Sequence, residues 1–486
     1  MFAEHRRRCA APGAHTKLLS PFSVTTRSET PLSPPSASAV SSGTSVRKGV
    51  YTLLIVVAAS IVGVRILTAP GAFSVNDQSR WATIRALVET GRYAIGHRVV
   101  TGGGRYRDRG IISQPGWGTV DVVMHPQTRQ FYSSKPTLLP TLLAGEYWVL
   151  RNVFGLNLSR NRLAVSRTIL LTINLLPFVF YLLLFGRLAD RLGTTDWGRL
   201  FVLATAGFGT FVSAFLPSLN NHTVAATGAL FALYHCLIIQ IDGDRSRWRF
   251  VLAGLFAGWT MCNELPAAAL AAALGLWLLS VQPRGALQYA LPAMLLPVAG
   301  YLLTQYLATG TIVPTYARES WYRFAGSYWH NPVGIDLADE PKLLYAFNLL
   351  VGHTGILSLT PVLVLGWIGM VRGARAVRGA PGNLEAQRLL AWLTLALTAV
   401  TFAFYVIRTH NYGGIVAGPR WFFWLIPLWL LTMLPEADRW GLDPRRRRIA
   451  YALLALSIGS AAYALENPWR NSWLCTLLRD WGVIAY

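Results

Sequence analysis

Residues 50–69 read VYTLLIVVAASIVGVRILTA, an apolar run interrupted only by Arg65. At about 1.5 Å per residue a helix of this length spans about 30 Å, the hydrocarbon thickness of a bilayer. The run is too long for the core of a cleaved signal peptide and reads as a signal-anchor. Comparable runs recur near 163–185, 200–216, 223–241, 250–263, 265–281, 286–308, 346–371, 389–407, 420–434 and 449–465. The expected fold is all-α, a polytopic transmembrane helical bundle of about eleven spans with no internal repeat.

Composition agrees. Of 486 residues 53% are hydrophobic and 14% charged, with 18 Trp, and the mean hydropathy is positive. A soluble chain of this length carries more charge. The net charge of +22 therefore points to loops facing anionic lipid or setting topology, and gives no reason to expect nucleic acid. Cys9, Cys236, Cys262 and Cys475 form no CxxC pair, so buried free thiols are expected rather than a disulfide framework or zinc site.

Residues 1–49, rich in Ser, Thr, Pro and Arg, read as a disordered cytoplasmic tail preceding a membrane domain at 50–465. Thr137–Phe154 is a further apolar run, but it carries Pro140, Glu146 and Arg151. If it stays on the outer surface, Arg187, Arg191, Arg245, Arg247, Arg249, Arg372, Arg375, Arg378 and Arg445–Arg448 all share the N-terminal side, as the positive-inside rule requires. It is therefore read as a surface helix.

A long first outer loop, 70–162, follows with twelve Lys/Arg against five Asp/Glu. Within it Gln78–Thr90 has Trp81, Ile84, Leu87 and Val88 on one side, with Arg85 and Glu89 four apart, an amphipathic pattern suited to the interface. Residues 101–118 are Gly- and Arg-rich and read as a mobile loop. A second large outer loop covers 309–345, and 466–486 reads as an outer tail with Trp469, Trp473 and Trp481.

Under this topology the chemically interesting residues fall on one membrane face. Asn76-Asp77-Gln78-Ser79-Arg80 follows the first span. Asp77 sits where an N-cap is expected, and a cap would leave its second carboxylate oxygen able to take a proton. Lys135, in Phe131-Tyr132-Ser133-Ser134-Lys135-Pro136, is held extended by the following proline and suits either a lipid phosphate or snorkelling. Asn220-Asn221-His222 forms an amide-rich turn, and Glu264 lies near the hydrocarbon where a carboxylate is costly. Tyr412-Gly413-Gly414 leads to Gly418-Pro419-Arg420-Trp421, and His330 sits among aromatic and Arg residues of the second loop. The middles of the spans carry few ionisable groups, unlike a proton- or ion-coupled transporter.

The acid after the first span, Asp77, with Arg80, the Tyr132-to-Pro136 element, and Gly418–Trp421 before a helix containing Pro427 resemble the GT-C superfamily of polytopic glycosyltransferases. The similarity covers residues 50 to 435 and is nearest bacterial members akin to protein O-mannosyltransferases and lipid A aminoarabinose transferases. It implies transfer of a sugar from a polyprenyl-phosphate donor to an envelope glycan, lipid or protein, with inversion. The chain would lie among membrane lipids of a bacterial-type inner membrane, N-terminus cytoplasmic and active site outward. Asp77 would be the general base, Arg80, Lys135 and Arg420 would bind the donor phosphate, and Tyr132, Asn221, His222, Glu264, His330 and Tyr412 would contact substrate. The resemblance allows a divalent metal at the phosphate and implies no other cofactor. Where many relatives have a second acid, Asn220, Asn221 and His222 stand here, and Ser134 replaces a Glu before Lys-Pro. A carrier flippase or transporter and a non-catalytic scaffold on the same fold stay open as alternatives.

Overall fold

The computed structural model describes residues 37–337, 340–376 and 383–485. The chain divides into a short unit, Met1–Val46, and a body, Arg47–Tyr486. Most of the expected tail lies outside the described residues, but the first helix runs Ala37–Thr68 and so begins within it.

Among the described residues six helices are long and apolar enough to cross a membrane: Ser45–Thr68, Arg162–Leu192, Asn221–Ile241, Pro283–Thr309, Asn383–Arg408 and Pro444–Glu466. The other expected spans fall on shorter or broken elements. The run at 200–216 is the helix Asp196–Phe208, a break at Gly209, and a single turn, Phe211–Ala214. The run at 346–371 is divided among Lys342–Leu350, Ile356–Leu359 and Val364–Ala374. That at 420–434 starts as a tight 3-10 segment, Arg420–Leu425, before the helix Ile426–Gly441. Leu138–Asn152 has 15 residues, about 22 Å of helix, which is short of a bilayer.

Two expectations for the first loop are corrected. It is not wholly helical: β1 (Gly96–Thr101), β2 (Arg105–Gly110), β3 (Val122–Met124) and β4 (Gln130–Ser133) form an antiparallel sheet in the order β2-β1-β4-β3. The stretch expected to be a mobile loop is in part the β1–β2 hairpin. Its turn is possible because Gly103 and Gly104 adopt φ of 79° and 75°, where a side chain would be strained. Arg98 stands opposite Asp108 in the register and grips it with bonds of 2.7 and 2.8 Å. Nor does the helix Val75–Thr90 present the exposed polar face that an amphipathic surface helix would. Residues Asn76 to Ala86 are buried, although the Arg85–Glu89 pair forms at 2.8 Å. Tyr147 of the helix Leu138–Asn152 donates to Glu89 at 2.9 Å and so ties the two helices.

Several contacts hold the loop 309–345 against the sheet. Arg98 donates to the Ala325 carbonyl at 2.8 Å, Trp329 Nε1 to the Val120 carbonyl at 2.9 Å, and Trp321 packs on Val123 and Tyr132. The tail after 466 is also part of the body, with Ala417 N bonded to the Pro468 carbonyl at 3.0 Å. Cys236, Cys262 and Cys475 are free and buried, as expected.

Close helix crossings set the frame. A methyl at Gly254 would stand 1.9 Å from the Ala290 carbonyl oxygen, and one at Gly258 2.2 Å from that of Met294. Small residues four apart let backbones meet in this way. At Gly459 no atom lies within 4 Å of an added methyl. Gly254→Ala should therefore cost about 1–3 kcal/mol and lower the thermal midpoint in detergent, while Gly459→Ala leaves it unchanged or raised. Equal midpoints for the two variants would contradict the tight crossing.

Candidate active site

The helix Val75–Thr90 starts with a capping box. Ser74 Oγ accepts Asn76 N at 3.0 Å, and Asp77 reaches back to Ser74 N at 3.0 Å and Phe73 N at 3.1 Å. Both Asp77 oxygens are thus engaged, where the sequence reading left one free. The side chain is 1% exposed and is not among the residues lining the main cavity. Burial pushes its carboxyl up to about 6, against the pull of the two N–H bonds and Arg80.

The cap fixes the next turn. Asn76 and Arg80 point into a cavity of about 820 Å³ that Lys135, Asn221, His222, Glu264 and Arg420 also line. Arg80 Nη1 donates to the Asn76 carbonyl and Oδ1, each at 3.0 Å, and its Nη2 donates to Asn221 Oδ1. Arg420 Nη1 donates to the same Asn76 Oδ1 at 3.3 Å, and its Nη2 to the Gly413 carbonyl at 2.6 Å. Its guanidinium lies 4.8 Å from the Trp469 ring centroid, which gives the C-terminal tail a place in the site. Arg80 and Arg420 are 1% and 6% exposed. Among the described residues every direct hydrogen-bond partner they have is neutral, and Arg420 Nε has none. Burial, with the Arg420 charge next, lowers Arg80 to about 10.

Lys135 is positioned by the β3–β4 hairpin. Val122 pairs with Ser133, so the residues just beyond each strand meet: Ser134 N bonds the Asp121 carbonyl at 3.1 Å, and Lys135 Nζ sits 2.9 Å from Asp121 Oδ1. Asp121 lines the cavity. Burial lowers Lys135 to about 8, partly offset by Asp121 and reinforced by Arg80 and Arg420.

Glu264 follows the helix Arg247–Asn263. It accepts Asn221 Nδ2 at 2.7 Å, and its carboxyl lies against His222 Nδ1. Burial raises it to about 8, despite Arg420, Arg80 and Lys135. Burial thus favours its protonated form toward neutral pH.

Six of the ten candidates thus converge: Arg80, Lys135, Asn221, His222, Glu264 and Arg420. Tyr132 lies on β4 with its hydroxyl on Gln130 at 2.6 Å. Tyr412 is buried with its hydroxyl on Glu340, beside the lining residue Gly413. His330 is exposed, one residue past the lining Trp329. Sequence reasoning missed Asp121, Asp336 and the bridging role of Asn76. A strand pairing that joins 121 to 135 is the signal for the first.

Among the described residues no group of three His, Cys, Asp or Glu is arranged to hold a metal ion. Asp121 is paired with Lys135, and Glu264 with Asn221 and His222. The residues present suit an anion rather than a divalent cation, so no step below uses a metal.

No family model matches this chain, and no curated protein matches it. Three solved structures of the oligosaccharyltransferase of Archaeoglobus fulgidus are similar in part. The apo form is 12% identical over 87% of this chain and 57% of its own, with a TM-score of 0.46. The complex with an inhibitory peptide and a dolichol-phosphate is 10% identical over 87% and 56%, TM-score 0.43. The complex with Zn and sulfate is 13% identical over 86% and 53%, TM-score 0.44. The chain spans little more than half the length of these proteins.

The Glu264 shift has a direction that can be measured. Between its unfolded value of 4.5 and about 8, the folded state binds the extra proton, so stability falls as pH rises through that window. Glu264→Gln keeps a neutral hydrogen-bonding group at every pH. Its melting temperature should fall less than that of the wild type between pH 5 and 8. Parallel pH profiles for the two proteins would contradict a protonated Glu264.

Proposed function

We propose that this chain is an integral-membrane glycosyltransferase of GT-C type. It takes a sugar from a polyprenyl-phosphate and passes it, with inversion, to an envelope acceptor on the outer face of a bacterial-type inner membrane. On this reading the shorter and broken apolar segments pack among the six long helices to make up the eleven expected crossings. The observation that carries this reading is the pair Arg80 and Arg420: buried, held by one amide oxygen, and lacking a direct carboxylate partner among the described residues. A buried cation without an anion is costly, and guanidinium groups match phosphate geometry.

In the step proposed, the acceptor hydroxyl oxygen attacks the anomeric carbon and the bond from that carbon to the phosphate oxygen breaks. The electron pair stays on the phosphate, where Arg80, Arg420 and Lys135 stabilise it. The hydroxyl proton passes to a carboxylate. We assign that base to Asp121, because it lines the cavity and is held by Lys135. Asp77 is then a positioning residue whose cap presents Asn76 and Arg80. The second reading keeps Asp77 as base, favoured by its value of about 6, which suits proton transfer near neutrality.

Membranes containing each variant, incubated with a panel of polyprenyl-phosphate sugars and followed by mass spectrometry, test this. Wild type should consume one carrier lipid and release its bare phosphate. Arg80→Gln should slow this by about 10²–10³-fold, and Asp121→Asn by about 10²–10⁴-fold. Asp77→Asn should cost less than Asp121→Asn, since its amide oxygen can still accept one of the two cap N–H groups, although the other loses its acceptor. The reverse order for the two Asp variants assigns the base to Asp77. The proposal as a whole fails if no carrier is consumed, or if Arg80→Gln works at the wild-type rate.

A further inference from the structure

Besides Glu264 and Glu319, one more carboxylate at the cavity has no task in this step. Asp336 lines it, on the short turn Gly334–Leu337. Its Oδ2 accepts the Tyr328 hydroxyl at 2.9 Å. Its Oδ1 is buried and has no partner among the described residues. A buried carboxylate oxygen left without a donor is unfavourable, so a ligand donor would be stabilising there.

What stands beside it suits a sugar. Tyr328 and Trp329 line the same cavity. The indole is fixed by its bond to the Val120 carbonyl at 2.9 Å and by an edge contact with Tyr328, centroids 5.2 Å apart. The apolar C–H face of a pyranose packs on aromatic rings, while its hydroxyls need polar partners.

The spacing from the phosphate arginine is set by backbone. Gly413 and Gly414 both have φ of 84°, a conformation that favours glycine. The Gly413 carbonyl accepts Arg420 Nη2 at 2.6 Å. A methyl added at Gly414 would stand 3.6 Å from Asp336 Oδ1. The two glycines therefore lie between the guanidinium and the carboxylate, and at Gly414 the positive φ rather than crowding is what favours glycine. The charge of Asp121 acts on Asp336 electrostatically, and those of Arg420 and Lys135 oppose it.

We infer that Asp336, Tyr328 and Trp329 form the donor-sugar subsite: a hydroxyl of the glycosyl phosphate donates to Asp336 Oδ1 while its phosphate lies at Arg420. Asp336 is then a specificity-determining residue. This rests on the phosphate site proposed above, and the two can fail separately.

The test is binding to the full chain in detergent by calorimetry. The probes are bare undecaprenyl phosphate and undecaprenyl phosphate carrying glucose, mannose, galactose or arabinose. At least one sugar lipid should bind wild type more tightly than the bare lipid. Asp336→Asn should weaken that lipid about tenfold, the scale of one hydrogen bond to a charged group. Its affinity for the bare lipid should be unchanged, which also shows that the variant is folded. Trp329→Leu should likewise weaken only the sugar lipid. The inference is overturned if either variant weakens bare and sugar lipids alike, or if wild type binds no sugar lipid more tightly than the bare one. A wild type that fails to bind bare undecaprenyl phosphate removes the phosphate site itself, and the subsite with it.

Discussion

Two buried guanidinium groups sharing one amide oxygen are the constraint on which this site depends. Asn76 Oδ1 accepts from Arg80 at 3.0 Å and from Arg420 at 3.3 Å. These residues lie 344 positions apart in the case of Arg420, so the contact joins the start of the body to its last third. Two like charges taken from water repel one another and lose hydration. Neutral amides and carbonyls satisfy their geometry but do not cancel their charge. Such an arrangement is held against its own electrostatics by the surrounding fold, and the anionic ligand proposed here would offset the cost.

The fold supplies that restraint from several directions. The capping box at Ser74 and Asp77 fixes the first turn of a helix that is buried along most of its length. The β3–β4 register brings Asp121 to Lys135, so a third cation is delivered by strand pairing rather than by a helix. Trp469 backs Arg420 from the C-terminal tail. The loop 309–345 is held on the sheet through Arg98 and Trp329. Each part is locally ordinary. Their convergence concentrates positive charge where the walls are apolar and aromatic, which strengthens its action on an anion.

Much of this was legible in the sequence. Six of the eleven apolar runs coincide, among the described residues, with helices long and apolar enough to cross a membrane, because length without charge needs no knowledge of packing. Arg80, Lys135 and Arg420 were legible because each stands in a short motif at the end of an apolar run. The sheet was not. β2 reads Arg-Tyr-Arg-Asp-Arg-Gly and is exposed throughout, so it shows no alternation of apolar residues; its register is held by the Arg98–Asp108 pair across the strands. Asp121 was hidden for the same reason, since its partner is defined by that sheet. The helix Val75–Thr90 misled in another way. Its polar face suggested an exposed surface helix, but Arg80, Arg85 and Gln78 are buried with partners on distant segments, which no local period can reveal. The chain breaks at Gly209 and around Val351–Gly355 interrupt runs that composition alone reads as single spans.

The most direct measurement is a structure of the full chain in lipid nanodiscs containing undecaprenyl phosphate. Phosphate density between the Arg80 and Arg420 guanidinium groups, within hydrogen-bond distance of Arg420 Nε and with Lys135 turned toward it, is the expected result. Lipid phosphate held only at other basic surfaces, with the two guanidiniums still bridged by Asn76 alone, would contradict the assignment of this cavity to a lipid-phosphate donor.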